Sequence, residues 1–533
     1  MDIKINQNNS LIESNVSDNV VETMYQKLKN KNTHDQQKLI GRIEINHGYE
    51  DAVSFLNNTY RNFRCLTTGE SYIRFTDPKV EALLKNCLTS NMSYTGSGLT
   101  QSDLNKFNDY QQLSLFKNNT EITKFPEFNR LQNLKILAND VFAGCTNLTQ
   151  LNLTNIEKII GGDTFKDCGI TEANLISCNE MRYCQHLFIR CTNLVTVNIP
   201  NVQLETIELN MFNGCLNLEN FNVDMSHVVR INNNAFYGCK KLQSIDLSNV
   251  EYIGGDAFTN CFGLTSVDLS KCTEIWGNGF YNCTNLIEIL NTEHITRIVD
   301  NAFRYTGLQG DLNLSACQRL GRNIFSALTG LTSIQFTQAL TEIGEQCFNG
   351  CSNLTSLGDL SKVKHFNGGW TFQGCKKLPG TLDLSGIGDG EEASADNYTS
   401  CNGTFEGCEN LTCIKLGNMW TLGGRWNGYE ASRLTFNNCK KLHTLDIKYL
   451  KYLWTGSYGY NLNSLRYLIL RQTTPPEYVE CTKADVTSIN NIIGSRLEKI
   501  FVPDSAVNTF KEEWPAIENY IFPLSEYVPI VDE

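Results

Sequence analysis

A seven-residue pattern, Phe-x-x-Cys-x-x-Leu, followed closely by an apolar-x-Leu segment, recurs along most of this chain. Its phenylalanines are 22 to 24 residues apart, except for two late steps of 33 and 31 residues. They are Phe142, Phe165, Phe188, Phe212, Phe236, Phe258, Phe280, Phe303, Phe325, Phe348, Phe372, Phe405 and Phe436. A fixed period in the low twenties is typical of solenoids, in which no unit can bury its apolar face alone. The recurrence predicts one elongated stack of repeats rather than several globular domains.

One unit, residues 236–247, illustrates the strand that we expect in every repeat. Ile245 and Leu247 fall on one side of this strand and Ser244 and Asp246 on the other, because side chains along a strand alternate. The apolar pair should point into the solenoid and the polar pair into solvent. The pattern therefore predicts a strand with one buried and one solvated side.

The rest of the unit is expected to return the chain to the next strand. Phe236 and Cys239 are three residues apart, a spacing that suits one side of a short helical turn, and a thiol fits an interior position as a small apolar group. Gly254 follows the second apolar segment, and glycine allows the left-handed or tight conformation that would turn the chain back. Each unit is predicted to run as strand, turn, short strand and helical turn.

The repeats divide the chain into four predicted segments. Residues 1–70 form a polar, amphipathic arm that either docks on another protein or caps the solenoid. Residues 71–137 form an N-terminal cap, residues 138–465 the solenoid and residues 466–533 a C-terminal cap. The predicted fold is a curved α/β repeat solenoid, a leucine-rich repeat array of about thirteen units of 22–24 residues, two of them expanded to 31–33 residues.

Charge and cysteine usage argue against several classes of protein. A net charge of −12 disfavours nucleic-acid binding, which needs clustered Lys and Arg, and disfavours anionic membrane surfaces. Eleven of the 21 cysteines recur at the repeat position, where Thr306 and Leu328 replace the cysteine in two units. A packing role tolerates such replacements, whereas a ladder of metal ligands or disulfides would not. The sequence has no Cys-x-x-Cys, His-x-x-x-His or Gly-x-Ser-x-Gly motif, and we expect neither a metal site nor a cofactor.

The repeat resembles the Bacteroides surface protein A-like (BspA-like) branch of leucine-rich repeats. Units of that family read Ala-Phe-x-x-Cys-x-x-Leu-x-x-Ile-x-Leu with an Ile-Gly step after them, and residues 257–269 read Ala-Phe-Thr-Asn-Cys-Phe-Gly-Leu-Thr-Ser-Val-Asp-Leu. Residues 474–476 and 500–521 are similar to the family's C-terminal cap, and residues 73–80 and 118–125 to its pre-repeat segment. The resemblance spans about residues 72–525 and implies recognition or adhesion rather than catalysis.

The same resemblance implies a calcium loop that this chain does not reproduce. Many relatives hold an EF-hand-like loop ahead of the repeats, but residues 88–103 here contain a single carboxylate, Asp103. Calcium in such loops is bound by several carboxylates at alternating positions. We expect a degenerate loop that is kept for its fold.

One candidate binding surface is the polar side of the repeat strands. The residue before the last strand apolar position is an amide or a carboxylate in six successive repeats: Asn152, Asn174, Asn198, Asn222, Asp246 and Asp268. Asn313, Gln335, Asp383 and Asp446 extend this row. Aligned at strand spacing, these groups could hydrogen-bond a partner that lies across the sheet. The alternative is an ordinary solvated face.

A second candidate surface lies where the period breaks. Inserts after Leu384 and Leu416 bring in glycines and aromatic residues, and more aromatic residues follow in the next unit. Long inserted loops with exposed rings often bind proteins or sugars. The candidate residues are Trp420, Trp426, Tyr429, Tyr458 and Tyr460. The alternative is that aromatic rings close the end of the solenoid under its C-terminal cap.

Together these features favour a non-catalytic recognition protein that binds a protein or glycan on a cell surface. The first residues contain no apolar stretch of signal-peptide length, and no run of 18 apolar residues that could span a membrane occurs. One interpretation is an exposed phage virion component, part of a capsid or tail, made in the cytoplasm and bound to other virion proteins through residues 1–70. The other is a secreted or cell-surface adhesin of a bacterium or protozoan.

An enzymatic alternative has little support in the sequence. A glycan-acting enzyme would need two carboxylates held across a cleft. Glu391 and Glu392 in the first insert are the one tempting local pair, but adjacent residues in a Gly-rich loop rarely hold that geometry. We therefore expect no catalytic residues.

Overall fold

The computed structural model describes residues 71–92, 94, 96, 98–366, 369–388, 403–421, 436–454, 462–479 and 496–530. It confirms the predicted repeat solenoid, because strands of successive turns pair in parallel along most of the array. The helices of the described part are α1 (Pro78–Met92), α2 (Gln101–Leu104) and α3 (Val507–Glu513), with 3-10 helices at Tyr110–Phe116, Pro126–Arg130, Asp504–Ala506, Pro515–Tyr520 and Leu524–Glu526.

The first strand of each turn follows the repeat leucine, and these strands together form what we call the A side. They are β1 (Lys124–Phe125), β3 (Gln150–Leu151), β5 (Glu172–Asn174), β7 (Thr196–Ile199), β9 (Asn220–Val223), β12 (Ser266–Asp268), β14 (Glu288–Leu290), β16 (Gln309–Asn313), β18 (Gly330–Phe336), β20 (Ser356–Gly358), β22 (Gly380–Leu384), β23 (Leu411–Thr421), β24 (Thr444–Trp454), β25 (Tyr467–Leu470), β27 (Lys499–Val502) and β28 (Ile521–Pro523). The A strands form several short parallel sheets, among them β5-β7-β9, β12-β14 and β16-β18-β20, and residues 243–248 between β9 and β12 form no strand. Within β5-β7-β9 the register matches from repeat to repeat, so that Asn174 lies opposite Asn198 and Asn198 opposite Asn222.

The second strand of each turn precedes the next Phe, and these strands form the B side. They are β2 (Ile136–Leu137), β4 (Lys158–Ile160), β6 (Glu180–Arg182), β8 (Thr206–Ile207), β10 (Arg230–Ile231), β11 (Tyr252–Ile253), β13 (Glu274–Ile275), β15 (Arg297–Ile298), β17 (Arg319–Leu320), β19 (Glu342–Ile343) and β21 (His365–Phe366). Strands β8 to β21 make one eight-stranded parallel sheet. Past β22 the two sides merge: β24 pairs with β25 through its first half and with β26 (Glu477–Val479) through its last residues.

The repeat phenylalanines form one continuous stack through the solenoid. Phe236, Phe258 and Phe280 have neighbouring ring centroids 5.2 Å apart and planes within 5° of parallel. The longer late steps leave the stack intact, because the Phe372 and Phe405 rings still lie 5.9 Å apart. The inserts therefore leave the repeat core unchanged, as expected if every unit is stabilised by its neighbours.

The segment that carries Phe is a run of turns and not the helical turn that the Phe–Cys spacing suggests. The residues two before and two after each Phe have positive φ, as at Asp163 (58°) and Asp167 (55°) around Phe165. Asn and Asp tolerate this conformation better than other side chains, and they occupy many of these positions. Backbone bonds to the next turn hold it: the Phe165 amide donates to the Leu187 carbonyl at 3.0 Å.

Glycine is needed at position 254 for a different reason from the left-handed conformation that we expected. Gly254 is not among the positive-φ residues, and Asp256, two residues later, takes that conformation with φ of 56°. A side chain at position 254 would bring its Cβ within 2.7 Å of the Asn233 amide nitrogen and 2.8 Å of the Asn232 carbonyl carbon. Glycine is needed because the neighbouring turn lies against the backbone.

The repeat cysteines are buried, as predicted, but their thiols also donate hydrogen bonds. Cys261 Sγ lies 3.1 Å from the carbonyl oxygen of Phe236 in the preceding turn, and Cys283 Sγ lies 3.0 Å from that of Phe258. The same bond recurs at Cys145, Cys191, Cys215, Cys239, Cys351, Cys375, Cys408 and Cys439. Thr306 instead turns its hydroxyl to the carbonyl of its own Phe303. The thiol thus combines apolar volume with a donor for a buried carbonyl.

Candidate recognition surface

The outward side chains of the A side between β5 and β20 form what we call the open A face. The strand predicted for residues 242–247 is not formed, because this turn has no strand on the A side, but Ser244 and Asp246 are exposed while Ile245 and Leu247 are buried, as the alternation predicts. Asn174 and Asn198 are linked across neighbouring strands, with Asn198 Nδ2 donating to Asn174 Oδ1 at 3.1 Å. The predicted row therefore exists as a surface feature, and at these two residues the amides bond one another.

Most of the row also has a structural task that the sequence pattern did not reveal. Asp246 Oδ1 accepts from the Ser248 amide at 3.0 Å and from the Ser248 hydroxyl at 2.7 Å, which fixes the local turn after the ladder position. Asn152 makes the same pair of bonds with Thr154. Asp268 bonds Ser270 in the same way and also accepts from Asn291 Nδ2 of the next turn at 3.0 Å. For Asn222 the described contacts add nothing beyond its exposed position.

Two carboxylates of the open A face are held firmly in their charged form. Hydrogen bonds from Ser270 and Asn291 lower the pKa of Asp268 below its usual range. Hydroxyl groups of Ser333 and Thr332, each 2.6 Å from Asp311 Oδ1, lower the pKa of Asp311 in the same way. Neutral donors thus stabilise these charges without cancelling them.

Sequence reasoning missed the apolar residues at the centre of the open A face. Leu290 occupies the ladder position in β14, directly opposite Asp268 of β12, and it is 43% exposed. Ile287, just before β14, is 47% exposed. The signal was visible in the sequence, because Leu290 interrupts a row that is otherwise mostly amide or carboxylate.

The A side is closed at its C-terminal end, which corrects the prediction for Asp446. This residue is buried, with its two carboxylate oxygens 2.7 and 2.8 Å from Nε and Nη2 of Arg471. Tyr527 covers the neighbouring strands, with its ring 5.2 Å from the Phe501 ring and 6.2 Å from the Tyr467 ring. Asp446 is therefore unavailable to a partner.

Many outward side chains of the B side contact one another. The Arg230 guanidinium lies 4.1 Å from the Tyr252 ring centroid, and the Arg297 guanidinium lies 5.1 Å from that of Trp276. Trp276 Nε1 donates to Glu274 Oε2 at 3.0 Å. Nearer the N-terminus of the B side, Lys158 forms an ion pair with Glu180.

The aromatic candidates lie outside the residues that the structure describes. Trp426, Tyr429, Tyr458 and Tyr460 belong to the undescribed segments, and only the backbone of Trp420 is described, at the end of β23. Their role in binding stays a prediction.

Asp103, at the end of the predicted degenerate loop, caps a helix. It accepts from the Thr100 amide at 3.1 Å and the Thr100 hydroxyl at 2.9 Å, which completes a capping box at the start of α2. Within the described ranges, no three His, Cys, Asp or Glu side chains are grouped so that they could hold a metal ion. A search of the same ranges finds no helix with the length and apolar character needed to cross a membrane.

A family model described as "BspA type Leucine rich repeat region" matches this chain in six copies, over residues 112–227, 205–327 and 311–382. These matches together cover more than half of the 533 residues. The chain belongs to the BspA-type leucine-rich repeat family. The resemblance seen in the repeat motif is thereby confirmed.

Solved structures of bacterial leucine-rich repeat proteins are similar to this BspA-type protein. A leucine-rich repeat protein from Bacteroides ovatus shares 19% identity over 65% of this chain and 88% of its own, with a TM-score of 0.41. A leucine-rich cell surface protein from Faecalibacterium prausnitzii shares 16% identity over 59% of this chain and 83% of its own, with a TM-score of 0.27. No curated protein sequence matches the chain.

Proposed function

We propose that this BspA-type protein is a non-catalytic recognition protein that binds a protein or glycan on a cell surface. The open A face is its main binding surface, and the aromatic inserts around Trp420, Trp426, Tyr429, Tyr458 and Tyr460 contribute beside it. One observation carries the proposal: no described segment covers the outward side of β5 to β20, whereas the same side of the C-terminal strands is buried. Repeat arrays use such extended faces to bind partners.

The arrangement of carboxylates supports a role without catalysis. Asp246 and Asp268 each fix the turn after their own strand, so their positions follow from the repeat and not from a reacting centre. Glu391 and Glu392 lie outside the described residues. Incubation of the purified protein with a glycan panel should release no product, and hydrolysis of any member would point to an enzyme.

The surface on which the protein is displayed is a separate part of the proposal. An adhesin of a cell surface needs only the solenoid, whereas a phage virion component needs an attachment segment, for which residues 1–70 are the candidate. The family match begins at residue 112 and so does not include this segment. Mass spectrometry of purified particles and of washed cells from the native source separates the two, because only one of them should contain the chain.

The binding surface can be tested by capture with two matched variants. N174R/N198R places two arginines on the open A face, and T206R/N232R places one in β8 and one directly after the neighbouring β10 on the B side, so both add the same charge. The account predicts that the wild-type protein and T206R/N232R capture the same partner from surface extracts, and that N174R/N198R loses it. Capture that survives N174R/N198R and fails with T206R/N232R would move the binding surface to the B side.

A further inference from the structure

We infer that the open A face takes a cationic protein segment, one that presents Lys or Arg side chains around an apolar anchor. The centre of this surface is formed by Asp246, Asp268, Glu288, Leu290 and Asp311. The inference rests on the proposed function, because it uses the same face, and it names the chemistry of the partner.

The first support is the charge of the two sides of the solenoid. On the outward strand positions from β5 to β20, and at the equivalent residues 244 and 246 of the turn that forms no A-side strand, the charged residues are Glu172, Asp246, Asp268, Glu288 and Asp311, and none is Lys or Arg. The B side has both signs and pairs them within the chain, as in Arg319 with Glu342 at 3.5 Å. The two sides are built from the same repeat, so the difference lies in the choice of outward residues.

The second support is that, within the part of the chain that the structure describes, no cationic side chain pairs with the carboxylates of the open A face. The described ion pairs involve none of the five carboxylates. Asp268 and Asp311 accept from amide and hydroxyl groups, which are uncharged. Like charges collected on one side of the array repel one another, and cations laid across them would reduce that cost. Anionic partners such as nucleic acids and acidic membranes would be repelled.

The third support is the pair of apolar side chains within this acidic surface. In the pairing of β12 with β14, Leu290 lies opposite Asp268 and Glu288 lies opposite Ser266. Leu290 therefore has one carboxylate across from it and another two residues earlier on its own strand. Leu290 and Ile287 are 43% and 47% exposed. Interfaces commonly bury an apolar centre inside a polar rim. A partner that covers Leu290 and Ile287 would bring its own charged groups against the carboxylates around them.

The test measures binding of labelled peptides to the full chain by fluorescence anisotropy. Two short peptides of equal length serve as probes: one alternates Lys with Leu and the other alternates Glu with Leu. The Lys–Leu peptide should bind at least about tenfold more tightly, and its affinity should fall as salt screens the charges. A third peptide that alternates Lys with Ser should bind more weakly than Lys–Leu, because it lacks the apolar anchor.

Variants of the protein locate the binding. D246N/D268N/E288Q/D311N removes four charges, and the turns should survive because Asn152 and Asn313 already make the same bonds to Thr154 and Ser315. E205Q/E251Q/E512Q/E518Q removes four exposed carboxylates elsewhere, so the net charge changes equally. Binding of Lys–Leu should weaken at least about fivefold in the first variant and less than about twofold in the second.

Three results would overturn the inference: equal binding of the Lys–Leu and Glu–Leu peptides, no binding of either at ~1 mM, or equal weakening in both variants. Thermal melting of each variant confirms that it is folded before binding is measured. The proposed function is tested by a different experiment, the capture of the natural partner by the wild-type protein and by N174R/N198R. If that variant loses the partner while the peptides show no preference for Lys, the surface is retained and only the cationic partner is rejected.

Discussion

The A side of this solenoid occurs in two forms, open from β5 to β20 and covered from β24 to β28. In the open region the outward ladder residues are fully or partly exposed, and several fix their own turn, as Asp246 does with Ser248. In the covered region the equivalent Asp446 is buried and bound by Arg471, and Tyr527 packs over Tyr467 and Phe501. The strands pair in parallel in both regions, so pairing alone does not decide whether a face is available. Whether a later segment of the chain packs over the strands decides it.

Alkaline pH should separate the two regions most strongly. Burial raises the pKa of the Cys283 and Cys351 thiols to about 12 and that of Cys87 to about 11, against 9.0 for an unburied thiol. Stability from these groups is complete below pH ~9 and is lost as the pH rises towards ~12, because the unfolded chain then releases the protons first. Each such thiol costs about 1.4 kcal/mol per pH unit in that window. Repeats rich in buried thiols should therefore lose stability before the covered strands.

Hydrogen exchange measured in reductant between pH ~8 and ~10, with rates corrected for intrinsic exchange, checks this order. No cysteine lies within β24, β25, β27 or β28. Loss of protection in those strands before the Phe258 and Phe280 turns would contradict the role of the thiols.

Substitution of a stacked ring should affect both regions through their shared core. Phe258→Ala removes a fully buried ring held between Phe236 and Phe280, and Phe405→Ala does the same between Phe372 and Phe436. Each should lower the free energy of unfolding by about 3–5 kcal/mol. Urea denaturation provides the measurement, and Tyr237→Ala, at an exposed ring, is the control with a change within about 0.5 kcal/mol. A small effect of Phe258→Ala beside a large one of Phe405→Ala would mean that the C-terminal cover stabilises the chain.

Removal of the cation in the covered region should have a smaller and local effect. Arg471→Ala leaves the buried Asp446 carboxylate without its partner and should cost about 2–3 kcal/mol, less than a fully buried pair because the Arg471 side chain is 45% exposed. Arg319→Ala, which breaks the exposed pair with Glu342 on the B side, should cost less than about 1 kcal/mol. The free energy of unfolding of both variants is measured by thermal and urea denaturation. Equal losses for Arg471→Ala and Arg319→Ala would show that the covered region does not depend on the Arg471–Asp446 pair.

The smallest effect tests the hydrogen bond of the repeat thiol. Cys261→Ala removes the donor to the Phe236 carbonyl and should cost about 1–2 kcal/mol. Cys261→Ser keeps a donor and should cost less than the alanine variant. If the thiol is only an apolar filler, the order reverses, because a buried hydroxyl would then lack a useful partner. Urea unfolding of both variants decides between the two orders.

The sequence was sufficient for those features of the fold that depend on regular spacing. The Phe, Cys and Leu positions are buried as predicted, and Ser244 and Asp246 are exposed as the alternation required, although the strand predicted for that unit is not formed. The family resemblance was also sound, because the repeat motif contains most of the family's signature. These predictions succeed because a repeat reports the same packing many times over.

Features that depend on the backbone path or on distant segments could not be predicted in this way. The left-handed pair around each Phe uses chemically different residues, such as His186 and Arg190 around Phe188, so it has a weak sequence signature. Asp446 looks like another member of the polar row, and its burial depends on Arg471 and Tyr527 later in the chain. The aromatic inserts remain predictions, since they lie outside the described residues.

The most direct test of the account is site-specific photocrosslinking in the intact protein with surface extracts from the native source. A photoreactive residue replaces Asn198 or Leu290 on the open A face, Glu251 beside the B-side strands, or Lys448, an exposed residue of β24 outside the open A face. The account predicts that one partner crosslinks from positions 198 and 290 and from neither of the others. Crosslinking of that partner from position 251 or 448, with none from 198 and 290, would contradict the open A face as the binding surface.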